Sequence, residues 1–141
     1  MKIYIASSWK NQYAVEMLTS LLRDHGHEVI SFVENAVIDE KRDGIKFDIE
    51  KWINSRDGYN KFRYDIEGAT KSDLVIYIGP SGSDAWAEVG TAYGCGVPIL
   101  GLFAKGEQIG LMRKMVTHWC RDYKDILKLV TIIQMEKDFH K

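Results

Sequence analysis

One stretch constrains this chain more than any other: Asp73 to Gly90. Leu74-Val75-Ile76-Tyr77-Ile78 is a continuous apolar run rich in β-branched residues. A run with no polar face is a strand covered on both sides, as in the interior of a parallel sheet. Gly79-Pro80-Ser81-Gly82 then breaks the run with turn chemistry. Ser83 or Asp84 can cap a helix that begins at about Ala85. Strand, Gly-rich turn and helix start meet at the carboxyl edge of a parallel sheet, where small ligands bind. Free N–H groups there, with the hydroxyls of Ser81 and Ser83, suit an anion or sugar oxygens. Glu88 follows about one turn into the helix, near the same mouth.

The remaining segments fit the same plan. Lys2 to Ala6 is a first buried strand, and Ser7-Ser8 is a turn. Asn11 is placed to cap a helix carrying Ala14, Val15, Leu18, Leu21 and Leu22 at helical spacing, which Gly26 ends. His27 to Val33 is a second strand. Glu34 to Tyr59 is irregular, with a charged loop tip at Asp39–Gly44 and a short amphipathic helix from Ile45 to Asn54. Trp52 on that helix either covers the ligand edge or anchors the helix to the core. Phe62 to Lys71 is a helix with Phe62, Ile66 and Ala69 inward. Gly94-Cys95-Gly96 stops the helix from Ala85, and Val97 to Phe103 is a fourth strand. Ala104–Glu107 forms a loop, Gln108–Met115 a short helix and Val116–Cys120 a fifth strand. Asp122 caps a last helix whose inner side is Ile126, Leu127, Leu129, Val130 and Ile133. A polar tail from Glu136 frays. Strands and helices alternate throughout, so the expected architecture is α/β: one domain over 1–141, an open parallel sheet with helices on both faces.

Composition excludes several classes. The chain is 45% hydrophobic with a net charge of −1. It is globular, and it lacks the basic excess of a nucleic-acid-polymer binder. Cys95 and Cys120 are too few for a disulfide scaffold. His25 and His27 lack a third ligand at metal spacing, so no metal site is expected. No apolar run approaches membrane length, and the N-terminal apolar stretch is too short for a signal peptide. A soluble, cytoplasmic protein with a small-molecule partner is the expectation.

The chemistry must come from the carboxyl edge. No Gly-Lys-Ser/Thr follows the turn, so it is not a P-loop, and G-x-G-x-x-G is absent. A plain strand–helix connection uses the same residue types. A carboxylate just beyond a Ser/Gly turn also suits cleavage of an N-glycosidic bond, where it can attack or stabilise a cation-like sugar carbon. Ser7, Ser8 and Lys10 could bind phosphate or merely cap the helix start. Trp9 and Trp86 are candidates to stack on a base or to close the core. Met112 could line an adaptable base pocket or serve packing.

Gly79 to Gly90, together with Ile3-Tyr4-Ile5-Ala6-Ser7-Ser8-Trp9, resembles the nucleoside 2-deoxyribosyltransferase-like superfamily. That group includes 2′-deoxynucleoside 5′-monophosphate N-glycosidases. The likeness runs to about Met115. Glu88-Val89-Gly90 matches the family's nucleophile unit, so the resemblance implies that Glu88 is the nucleophile. It likewise selects Asp65, on the preceding helix, as the residue that orients the substrate. Family transferases often carry an acid six positions before the nucleophile. Here that position is Gly82, with Asp84 the nearest acid, which leaves room for a phosphate.

The resemblance implies a flavodoxin-like, Rossmann-like sheet of five strands in order 2-1-3-4-5. It also implies cleavage of a 2′-deoxynucleoside or its 5′-monophosphate through a glycosyl-enzyme ester at Glu88, with no cofactor. Water or an acceptor base would resolve the ester. Ser7, Ser8, Trp9, Ser81, Gly82, Ser83, Asp84, Trp86 and Met112 are the expected substrate contacts. The hydroxyls near the turn favour a monophosphate and hydrolysis. A homodimer or larger homo-oligomer is expected. Two alternatives stand beside this reading. One is a nucleotide-binding sensor without catalysis. The other is a phosphoribohydrolase of the cytokinin-activating type, whose motif would need Gly82-Ser83 two residues nearer Glu88.

Overall fold

A computed structural model describes residues 1–35, 48–108 and 110–140. The strands are β1 (Lys2–Ala6), β2 (Glu28–Ser31), β3 (Leu74–Ile78), β4 (Ile99–Leu102) and β5 (His118–Cys120). They form one sheet in the order β2-β1-β3-β4-β5. Every pairing is parallel, with Tyr4 opposite Val75 and Ala6 opposite Tyr77. The helices are α1 (Gln12–Asp24), α2 (Ile49–Ile53), α3 (Arg56–Lys71), α4 (Ser83–Gly94) and α5 (Tyr123–Phe139). This is the flavodoxin-like arrangement, and it puts the ends of β1 and β3 side by side.

Side-chain alternation splits the core into two layers. Ile3, Ile5, Leu74 and Ile76 face one side and pack with Val15, Leu18 and Leu22 of α1 and with Ile126 and Val130 of α5. Tyr4, Ala6, Val75 and Tyr77 face the other, against Ala69 of α3 and Ala85, Val89 and Ala92 of α4. Burial of each aliphatic side chain contributes about 1.5–3 kcal/mol. The second layer holds two tyrosines in otherwise apolar strands, and both hydroxyls need partners.

Several boundaries differ from the sequence expectation. β2 stops at Ser31, and Phe32–Asn35 turns into a 3-10 helix. α3 begins at Arg56, with the Ser55 hydroxyl accepting from the Gly58 amide at 3.1 Å. Phe62 is 52% exposed, not inward. The first half of α3 packs on α2 at Gly58, and its small-residue end makes the sheet contact. α4 begins at Ser83, so Gly82 is its cap residue, not Ser83 or Asp84. Leu111–Met115 is a 3-10 helix, and α5 continues to Phe139 instead of fraying at Glu136. Asp122 does cap α5, accepting from the Lys124 amide at 2.7 Å. The loop tip Asp39–Gly44 and the start of the helix expected from Ile45 lie outside the described residues.

Candidate active site

The carboxyl edge gathers two carboxylates around one phenol. Tyr4, fully buried on β1, donates its hydroxyl to Glu88 Oε1 on α4. Gly68 makes this possible. A Cβ there would lie 2.3 Å from the Tyr4 ring, so α3 can cross the ring only without a side chain. Three residues earlier on α3, Asp65 comes close enough for its charge to act on both Tyr4 and Glu88. Lys61, one turn before Asp65, holds that carboxylate at 2.7 Å. Its ammonium also lies over the rings of Phe32 and Tyr64, at 5.6 and 5.3 Å.

The electrostatics follow from burial. Desolvation pushes the Glu88 carboxyl up to about 7, with Asp65 and Asp84 adding to the rise, while the Tyr4 hydrogen bond and Lys61 oppose it. Asp65 is also raised, chiefly by burial, against the pull of Lys61 and Tyr4. Tyr4 is held neutral by burial and by the two carboxylates. Glu88 is therefore a basic, partly desolvated carboxylate that titrates near neutrality. Such a group can attack an electrophilic carbon.

A second polar cluster supports the turn. Glu107, whose side chain is 2% exposed, accepts from the Tyr77 hydroxyl at 2.7 and 2.9 Å and from Trp86 Nε1 at 3.4 Å. Its Oε2 lies 1.8 Å from where a Cβ on Gly79 would be, so a side chain there would displace the Glu107 carboxylate. The Tyr77 hydroxyl also bonds Ser81 Oγ at 2.7 Å. Arg113 stands 3.8 Å from Glu107 and stacks near Phe103 and Trp119.

The two strand ends are tied together by Asn11. Its side-chain amide donates to Pro80 O at 2.7 Å and to Ser7 Oγ at 3.0 Å, and Ser7 donates to Ile78 O at 2.7 Å. Asn11 occupies the α1 cap position without capping α1.

Thus Glu88 and Asp65 do converge, through Tyr4. Ser7 and Ser81 flank the junction, each already hydrogen-bonded. Ser8 receives the Lys10 amide at 3.4 Å, and Trp9, 47% exposed, meets Phe32 edge-on at 5.2 Å. Trp86 packs on Tyr77 at 4.7 Å, inside the aromatic cluster. Gly82, Ser83 and Asp84 are exposed at the helix start, and Met112 is exposed on its 3-10 turn. His25 and His27 bond the Leu21 carbonyl and the N-terminal amine. Among the described residues, no group of three or more His, Cys, Asp or Glu could hold a metal ion, and no helix is long and apolar enough to cross a membrane.

Sequence reasoning missed Tyr4, Lys61, Glu107 and Arg113 as site groups. A polar tip on a doubly covered strand was a signal for Tyr4, and i,i+4 spacing to Asp65 was one for Lys61. Glu107 carried none, because its partners are distant in the chain.

A scan of known protein families finds no match, and no curated protein matches. Solved structures do. The 2-deoxyribosyltransferase of the psychrotolerant bacterium Bacillus psychrosaccharolyticus superposes with a TM-score of 0.71 at 25% identity, covering 89% of this chain and 90% of that one. The chain is thus similar to the nucleoside 2-deoxyribosyltransferase-like superfamily. Two further solved structures share the fold. A conserved protein from Enterococcus faecalis V583 matches with a TM-score of 0.62 at 21% identity, over 91% and 95% of the two chains. The CMP N-glycosidase of Clostridium botulinum matches with 0.55 at 16% identity, over 93% and 99%.

Proposed function

We propose that this chain is an enzyme that cleaves the N-glycosidic bond of a 2′-deoxynucleoside or its 5′-monophosphate. The observation that carries the reading is the half-buried Glu88 carboxylate, held by Tyr4 beside Asp65 at the carboxyl edge. Glu88 attacks the anomeric carbon. As the C–O bond of the glycosyl ester forms, the C–N bond breaks and its electron pair leaves with the base. The base takes up a proton, from Asp65 or from solvent. Water, or a second base, then attacks the same carbon and frees Glu88. Asp65 orients the sugar hydroxyls, and neither step needs a metal or an organic cofactor. The neighbours named for 2-deoxyribosyl transfer and CMP N-glycoside cleavage support this chemistry.

The test is chromatography of free base from deoxynucleosides and their 5′-monophosphates, with and without a second base, for wild type and Glu88→Gln. Base release that the variant lacks is the expected result. A new nucleoside formed only with the second base makes the enzyme a transferase. Binding without release in wild type overturns the reading in favour of a nucleotide sensor. The same proposal includes a homodimer or larger assembly, and a monomer mass at all concentrations would exclude it.

A further inference from the structure

We infer that Ser81, aligned by Tyr77 and Glu107, presents only hydrogen-bond acceptor capacity to the ligand and so selects a free sugar hydroxyl over a 5′-phosphate. This rests on the N-glycosidic reading of the same site. Trp86 Nε1 and the Arg113 guanidinium can only donate, and both face Glu107, which therefore serves as an acceptor. Tyr77 has one hydroxyl hydrogen, and both Glu107 oxygens lie within 2.9 Å of it. That hydrogen goes to Glu107. The 2.7 Å contact between Tyr77 and Ser81 then needs a donor, and only the Ser81 hydrogen remains. The competing acceptor, Gly82 O, is 3.4 Å away. Ser81 is left with lone pairs and no proton.

Ser7 is in the same condition. Its hydrogen goes to Ile78 O at 2.7 Å, and it already accepts from Asn11. The hydroxyls on both sides of the junction thus offer oxygen lone pairs. A phosphate dianion brings only acceptors, whereas a sugar hydroxyl brings a donor. The N–H groups in the first turn of α4, which no side chain caps, favour an anion, but Asp84 sits in that turn and places a negative charge on it. Glu88 lies five residues beyond Ser83, about 7.5 Å along the helix axis. In this proposal the sugar's anomeric carbon meets Glu88 and its 5′-oxygen lies toward the turn.

The test measures binding by calorimetry in the Glu88→Gln background, so that turnover does not intervene. The probes are a 2′-deoxynucleoside and the matching 5′-monophosphate. The unphosphorylated ligand should bind at least about tenfold more tightly. Ser81→Ala should weaken that ligand about tenfold and leave the monophosphate nearly unchanged. Tyr77→Phe, which frees the Ser81 hydrogen, should narrow the preference. Equal or tighter binding of the monophosphate, a preference untouched by both variants, or no binding of either probe would overturn the inference. Preferential binding of the nucleoside with no base release by wild type would leave it standing and remove the N-glycosidic reading instead.

Discussion

The Tyr4 phenol donates to Glu88 across the gap between the first strand and the fourth helix. Among the described residues, it is the side-chain hydrogen bond that stabilises the charged form of the proposed nucleophile. Burial works the other way. The balance leaves Glu88 titrating near 7, so activity on an uncharged nucleoside should climb through an inflection near neutral pH. Tyr4→Phe removes the donor and keeps the ring. Its inflection should move up by about one pH unit or more, with loss of rate at pH 6.5 and recovery toward pH 9. An unmoved inflection would separate Tyr4 from the ionisation of Glu88.

Glu88→Gln should cost on the order of 10³-fold or more in base release. It should also make the protein more stable at pH 8. The folded pKa, about 7, lies above the ordinary 4.5. Below 4.5 both folded and unfolded states hold the proton, and Glu88 costs nothing. Between 4.5 and 7 only the folded state holds it, so stability falls as pH rises, reaching its full penalty above 7. The penalty is about 1–3 kcal/mol. Denaturant melts of the two proteins should therefore diverge at pH 8 and nearly coincide at pH 4. Equal stabilities at pH 8 would mean that the carboxylate is better solvated than its burial implies.

Lys61 decides how the two carboxylates share charge. It is 12% exposed and pairs with Asp65 at 2.7 Å. Burial raises Asp65, and Lys61 is the main group opposing that rise. Lys61→Met leaves burial opposed only by the Tyr4 hydrogen bond, so Asp65 should hold its proton to higher pH. Base release at pH 6 should fall about tenfold, with partial recovery at higher pH. Lys61→Arg keeps the cation and should retain most of the activity. A plain packing role for Lys61 would lower stability without moving the pH profile.

These side chains show what could be read from the chain in advance. The five strands and their helices follow from apolar runs and turn residues, and Glu88 follows from its place beyond the turn. The sheet order and the choice of Asp65 over Glu67 came from resemblance. Asp65 does face Tyr4 and Lys61, while Glu67 pairs with Arg63 at the surface. What stayed hidden is of one kind. Tyr4 to Glu88 and Tyr77 to Glu107 span 84 and 30 residues. No local pattern records such pairings. Hydroxyl direction is hidden for the same reason. Counting serines near the turn favours a phosphate, whereas tracing their hydrogens favours a donor. Helix boundaries differ where residue type alone marks the cap: Ser83 and Asp84 are both good caps in isolation, yet Gly82 holds the position.

Two glycines near the site should respond unequally to alanine. At Gly68 a Cβ would lie 2.3 and 2.6 Å from ring carbons of Tyr4. The ring is buried and tethered by its hydroxyl, so it cannot swing away freely. Overpacking of this kind costs about 1–3 kcal/mol, and the helix preference of alanine returns about 1 kcal/mol of it. Gly68→Ala should be less stable, and it should lose activity by displacing the hydroxyl from Glu88. At Gly82 a Cβ meets nothing within 4 Å, and φ is −97°. Gly82→Ala should fold normally and lose less than about 1 kcal/mol, the difference between glycine and alanine at a helix cap. If Gly68→Ala kept full stability and activity, the close approach of the third helix to Tyr4 would not be what positions the phenol. If Gly82→Ala abolished activity while folding normally, the ligand would have to pass within van der Waals reach of that backbone.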